Sequence, residues 1–140
     1  GTGKTMFAAM SLGADGVQIG SRFVLSDESS AHINFKNAII QANDGDTLLT
    51  LKEITPVRLI KNKFYDKIKN AYFNKSNIED LKEILGKGRA KKGMFEGDID
   101  EGELEIGQIS SYLDSLMPAK EIIKEIISDF YNTRNKLNEY

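Results

Sequence analysis

The run Gly16-Val17-Gln18-Ile19-Gly20-Ser21-Arg22-Phe23 constrains the fold of this chain more than any other stretch. Val17 and Ile19 read as a short buried strand, entered through Ala14-Asp15-Gly16 and closed by a glycine. A Gly-Ser step at the C-terminal end of a strand leaves the backbone bare, so its N–H groups can approach an anion. Upstream, Met6 to Leu12 reads as a short apolar helix stopped by Gly13 as its C′ residue. Helix, tight turn, strand and glycine make one αβ step of a repeating α/β fold. In a (β/α)₈ barrel the last such step commonly builds a phosphate site; an ordinary αβ unit with a glycine turn carries the same pattern.

A second phosphate motif competes at the first residues. Gly1-Thr2-Gly3-Lys4-Thr5 matches the end of a P-loop, whose lysine reaches the β- and γ-phosphates of a nucleotide. Phe23-Val24-Leu25-Ser26-Asp27-Glu28 imitates the acidic strand that holds magnesium in such NTPases. It follows the Val17 strand directly, however, with no crossover helix to place it beside a P-loop strand. The helix before Gly13 is also short for a nucleotide-binding one.

Beyond these patterns, Gly1 to Phe23, and above all Gly13-Ala14-Asp15-Gly16-Val17-Gln18-Ile19-Gly20-Ser21-Arg22-Phe23, resembles the C-terminal part of the nitronate monooxygenases. That family shares a superfamily with the flavin-dependent enoyl-ACP reductases. The resemblance continues through Ala31-His32, Phe35-Lys36, Pro56-Val57-Arg58 and Lys61-Asn62-Lys63-Phe64. It returns at Glu96-Gly97-Asp98 and from Glu101-Gly102 to Gly107-Gln108, and so covers nearly the whole chain. It implies the C-terminal portion of an FMN-binding (β/α)₈ TIM barrel followed by a mainly helical extension. Residues 1–43 then hold helix seven, strand eight and helix eight, and residues 44–140 a small hairpin and helices. On this reading roughly the first six strands of the barrel lie outside the chain, and the 140 residues expressed alone should fold poorly, with open strand edges and apolar helix faces.

The implied cofactor is FMN. Gln18, Ile19, Gly20 and Ser21 match the family's flavin-phosphate stretch after strand eight, with serine where threonine is more usual. Gly1 and Gly3 match the trailing edge of the loop-seven phosphate site. Gln108 is implied as an amide near the flavin, with simple helix packing as its other reading. Arg22 either neutralises the phosphate or pairs with a nearby carboxylate. The implied substrate is a small molecule, an alkyl nitronate oxidised with dioxygen, or in the sister branch an enoyl thioester reduced with a nicotinamide nucleotide. A non-catalytic helical interaction domain and the P-loop NTPase are the readings from other classes.

Composition narrows the rest. The net charge of −2 with both signs interspersed gives no electrostatic case for nucleic acid. With no cysteine there is no disulfide, thiolate metal site or cysteine nucleophile in this chain. No apolar run approaches membrane-spanning length, no targeting segment is visible, and cytoplasm is the default expectation; a homo-oligomer is compatible with all of this. Lys87, Arg89, Lys91 and Lys92 form a basic cluster, and Glu96, Asp98, Asp100, Glu101, Glu103 and Glu105 an acidic run without calcium-loop spacing. Both read as solvated surface, and no metal site is expected.

Ser29 and Ser30 offer caps for a helix over Ala31 to Ala42. Thr47 to Leu51 and Val57 to Ile60 are strand-like and suit a hairpin with Pro56 at an edge. A helix from Asn62 to Phe73 follows. Ser76 to Glu79 fits a capping box for Asn77 to Leu85, with Gly86 as the stop. Gly93 to Asp98 reads as a loop. Asp100 with Glu103 suits the start of a helix carrying Gly102, Leu104, Ile106, Gly107-Gln108, Ile109 and Leu113. Pro118 opens a last helix with Ile122, Ile123, Ile126, Ile127 and Phe130 on one face, fraying from Asn132 to Tyr140. His32, the only histidine, is placed as a cap-side or surface residue rather than a general base. No residue of the chain is assigned as catalytic acid, base or nucleophile.

Overall fold

The computed structural model describes residues 1–137. It is a mixed α/β chain of two compact units, Gly1–Ser29 with Ser115–Tyr140, and Ser30–Asp114.

The first unit holds α1 (Gly3–Ser11), α2 (Ser21–Val24) and α7 (Ala119–Leu137). Helix α1 stops as its sequence dictates. Gly13 takes φ +101°, its N–H donates to the Met10 carbonyl, and the Ala14 N–H reaches back to Ala9, the paired bonds of a Schellman motif. Its start is a reciprocal cap: Thr2 Oγ1 accepts from the Thr5 N–H, and Thr5 Oγ1 accepts from the Thr2 N–H at 2.9 Å. Helix α7 packs on α1 and buries Ile122 and Ile126, while Ile123 and Ile127 are exposed. Phe130 meets Phe7 edge-on at 5.6 Å. The apolar face of α7 is therefore narrower than its run of isoleucines suggests. The helix also continues through the expected fray to Leu137, helped by Arg134 and Lys136 at its negative dipole end; residues 138–140 lie outside the described residues.

Residues 14–20 correct the strand expectation. They form no strand, and Val17 is 39% exposed. A strand acquires its ladder from neighbours, and no described segment of this chain pairs with this one.

The second unit holds α3 (Ile33–Gln41), β1 (Thr47–Thr50), β2 (Val57–Ile60), α4 (Lys63–Phe73), α5 (Ile78–Leu85), α6 (Arg89–Met94) and a 3-10 helix, Gln108–Tyr112. The strands pair antiparallel, Thr47 opposite Ile60 and Thr50 opposite Val57. Leu104–Ile106 adds backbone bonds to the other edge of β2. Leu51, Leu59, Phe64 and Ile68 form the core of this unit.

Two caps in this unit fall one to three residues from the expected ones. His32, not Ser29 or Ser30, caps α3, with Nδ1 accepting from the Asn34 N–H at 3.1 Å. The box on α5 is Asn77 with Asp80 rather than Ser76 with Glu79. Both patterns occur in the sequence, and since serine and asparagine cap about equally well the choice of Asn77 is not legible locally.

The helix expected over Gly102 to Leu113 is absent, and Gly93 belongs to a helix rather than a loop. One contact explains both. Gly93 of α6 and Gly102 touch backbone to backbone, so that a Cβ on either would strike main-chain atoms of the other segment. Gly102 is spent on that approach, and the chain after it runs extended along β2.

Two side chains then fix the 98–103 segment. Asn62 caps α4 through Oδ1 and donates from Nδ2 to the Ile99 and Gly102 carbonyls at 2.9 and 2.8 Å. Arg89 donates to the carbonyls of Leu85, Glu101 and Ile84 at 2.7–2.9 Å while stacking 4.5 Å above the Phe64 ring.

Four residues of the acidic run are ion-paired at the surface, while Glu103 is buried. Asp100 meets Lys63, Glu101 meets Lys67 and Arg89, Glu96 meets Lys91, and Asp98 meets Lys92. The same pairs account for most of the basic cluster. Backbone N–H groups of Glu101 and Asp100, together with Lys92, hold the Asp98 carboxyl down to about 2 from its ordinary 3.8. A carboxyl depressed in the folded state stabilises it above its unfolded pKa, and that contribution vanishes as pH falls through the folded one. Asp98→Asn should therefore flatten the acid-unfolding curve between about pH 4 and 2, followed by circular dichroism. An unchanged curve would mean that Asp98 does not link this loop to protons.

Candidate functional site

Most of the sequence-predicted site residues fall in the first unit. Gly1 lies against Ile19, and a Cβ on Gly1 would stand 3.0 Å from both Cγ atoms of that side chain. The start of α1 and the segment leading into α2 thus converge. Gln18 is exposed and Ile19 half-buried. Gly20 is the N-cap of α2, exposed, with open space where a side chain would project. Ser21 is half-buried in the first turn. This end of α2 offers a bare glycine, a hydroxyl and the positive end of a helical turn, the chemistry an anion needs.

The start of α1 is different. Gly3 is buried, and a Cβ there would strike Ile126 O, Phe130 N and, at 2.6 Å, Asp129 C. Its lack of a side chain is required for the close approach of α7. The Lys4 N–H donates to Asp129 Oδ2 at 2.9 Å, so the protein's own carboxylate sits where a P-loop would receive a phosphate. The Thr2 and Thr5 amides are held in the capping box. Together with the nine-residue length of α1, this leaves the P-loop reading without its cradle.

Arg22 resolves to the carboxylate alternative. It is 7% exposed, donates to the Ser115 carbonyl at 3.1 Å and to Met117 Sδ at 3.2 Å, and pairs with Glu125 at 3.4 Å. Gln108 belongs to the second unit, exposed at the start of the 3-10 helix rather than on an α-helix. His32 is spent on its cap, beneath Gly97.

Sequence reasoning missed Asp129, Gly93 and the grip of Asn62 and Arg89. A signal existed only for Gly93, as a glycine among helix-forming lysines. The partner of Lys4 lies 125 residues away, and no local pattern points to it.

The family model of nitronate monooxygenase matches residues 1–129. The chain belongs to the nitronate monooxygenase family. Similar proteins include probable nitronate monooxygenases of Bacillus subtilis, 32% identical over 87% of this chain and 35% of that protein, and of Staphylococcus saprophyticus, 33% identical over 96% and 38%. Among solved structures, FabK from Thermotoga maritima superposes with a TM-score of 0.90 at 36% identity, covering 99% of this chain and 44% of that one. Nitroalkane oxidase from Streptomyces ansochromogenes gives 0.72 at 26%, covering 97% and 38%.

The family is one of flavin-dependent oxidoreductases, and both structural neighbours are TIM-barrel enzymes. The chain spans less than half the length of these relatives. No described helix is long and apolar enough to cross a membrane.

Proposed function

We propose that this chain forms the flavin-phosphate end of an FMN-dependent (β/α)₈ oxidoreductase that oxidises alkyl nitronates with dioxygen to a carbonyl compound and nitrite. The observation that carries the reading is the convergence of Gly1 and Ile19 beside the open Gly20, in a chain whose family match spans residues 1–129. In this assignment α1 is barrel helix seven, residues 14–20 become strand eight when neighbouring strands flank them, and α3 is helix eight. Residues 44–140 are the extension.

When bound, FMN supplies the electron transfer. The residues present fit its phosphate on one side. Gly20 lets the backbone approach, and the Ser21 hydroxyl and the first amides of α2 donate to phosphate oxygens; Gln18 and Ile19 shape the entry. Gly3 acts through packing, by holding α1 against α7, and Gly1 leaves room for Ile19. Gln108 is assigned an amide contact to the flavin, tested separately by Gln108→Ala. The chain itself supplies no acid or base to the reaction, which belongs to a soluble cytoplasmic enzyme, homo-oligomeric or not.

One observation favours a second reading. FabK, an enoyl-ACP reductase, matches at a higher TM-score and identity than nitroalkane oxidase does. An FMN enzyme reducing enoyl thioesters with a nicotinamide nucleotide is that alternative.

The test is the visible spectrum of the purified protein and identification of any released flavin. Bound FMN, with nitronate-dependent oxygen uptake, supports the first reading; reduction of the flavin by NADPH with crotonyl-thioester turnover selects the second. Ser21→Ala should weaken FMN binding by roughly tenfold through one lost charge-assisted hydrogen bond, whereas Lys4→Ala should leave it unchanged. A colourless folded protein that takes up no FMN would remove both readings.

A further inference from the structure

Arg22 is a buried charge at a place where an apolar side chain could pack without the cost of desolvating a guanidinium. What arginine supplies there is direction, through a planar fork whose donors fix several acceptors at once. One terminal nitrogen donates to the Ser115 carbonyl, the other to Met117 Sδ and to the Glu125 carboxylate. The acceptors lie on the segment that leads into α7 and on α7 itself.

The backbone beside Arg22 repeats the attachment. The Asp27 N–H donates to the Met117 carbonyl at 3.2 Å, and the Met117 N–H to the Leu25 carbonyl at 3.4 Å. Ser26 and Met117 form a parallel bridge, and the Ala119 N–H donates to Glu28 Oε2 at 2.8 Å. Residues 22–28 are thus stitched to residues 115–119, and Arg22 is the stitch nearest to Gly20-Ser21. Helix α2 has little of its own to fix that turn, being four residues long with no side-chain cap at Gly20. The place of Ser21 is therefore set by a segment more than ninety residues further along the chain.

We infer that Arg22 is a positioning residue, which holds the Gly20-Ser21 turn for an FMN phosphate through Ser115, Met117 and Glu125 without touching the phosphate itself. The inference rests on the flavin-phosphate reading above. Both terminal nitrogens of the guanidinium are committed to acceptors of the protein, so a phosphate would have to displace Glu125 to claim the charge. The pair with Glu125 gives the two roles opposite signs. Removing that carboxylate loosens an arginine that positions the turn, and releases one that neutralises a phosphate.

The experiment strips the holoprotein of its flavin and titrates FMN and riboflavin back, followed by quenching of flavin fluorescence. Riboflavin lacks the phosphate and so reports the remainder of the flavin site. Glu125→Gln, at a side chain 61% exposed, should weaken FMN about threefold. Arg22→Lys, which keeps the charge and loses the fork, should weaken it about tenfold. Riboflavin affinity should stay at the parent's value in both, while the phosphorus NMR resonance of bound FMN moves. Tighter FMN binding by Glu125→Gln, or parental binding by Arg22→Lys, would overturn the proposal in favour of direct neutralisation. An equal loss for FMN and riboflavin would overturn it too, as the mark of an arginine that serves the fold alone. Should Arg22→Lys not fold, Glu125→Gln decides the matter by itself. A parent that binds riboflavin as tightly as FMN would bring down the flavin-phosphate reading and this proposal with it; the other failures leave that reading standing.

Discussion

Gly3→Ala should destabilise the first unit by about 3 kcal/mol, near the upper end for overpacking, and lower Tm by roughly 10 °C. The added methyl has nowhere to go. The atoms it would meet are Ile126 O, Phe130 N and Asp129 C, all main chain of α7, so no side-chain rotation relieves the clash. Separating the helices to admit it would also stretch the bond from the Lys4 N–H to Asp129 and the Phe7–Phe130 edge contact. The internal control is Gly20→Ala, where nothing lies within 4 Å and φ is −103°, a value open to any residue. Chemical denaturation of the two variants should separate them clearly. If Gly3→Ala unfolds at the parent's midpoint, the close approach of α1 and α7 is not the reason for a glycine at that position.

Gly102→Ala is expected to cost at least about as much, 3 kcal/mol, in the second unit. Its methyl would fall on the backbone of Gly93 and on the Asp98 carbonyl, and Asp98 is anchored in turn by the Gly102 N–H and by Lys92. Because Gly93→Ala opens the same space, the double variant should cost clearly less than the sum of the single changes, a coupling that a denaturation cycle measures. Strict additivity within about 0.5 kcal/mol would mean that the two glycines act separately.

Local signals in the sequence were readable where the physics is local. Gly13 and Gly86 ended their helices, Asn62 began one, and the Thr47–Ile60 hairpin followed from two β-rich runs around Pro56. Errors entered where the deciding partner is distant. The strand expected at Val17 and Ile19 needs neighbours that no described segment provides. The helix expected through Gly102 fails because its glycine answers to Gly93, not to a helical stripe. Asp100 and, in part, Glu101 do face solvent, but their partners Lys63 and Lys67 were not legible because they lie 37 and 34 residues away. At the candidate site the same division holds. Gly20-Ser21 reads as the bare end of a strand and stands instead at the start of α2, and the role of Gly3 depends on a helix more than a hundred residues later.

The grip of Asn62 and Arg89 has a consequence for how this unit can change over time. Both side chains address carbonyl oxygens, those of Ile99, Glu101, Gly102, Ile84 and Leu85, and a carbonyl is common to every amino acid. The course of the 98–103 segment is thus written at positions 62 and 89 as well as in Asp98, whose carboxylate accepts from the Asp100 and Glu101 N–H groups, and in Gly102. Ile99, whose side chain is exposed and whose carbonyl is what Asn62 holds, is left free to drift, while Asn62 and Arg89 are not.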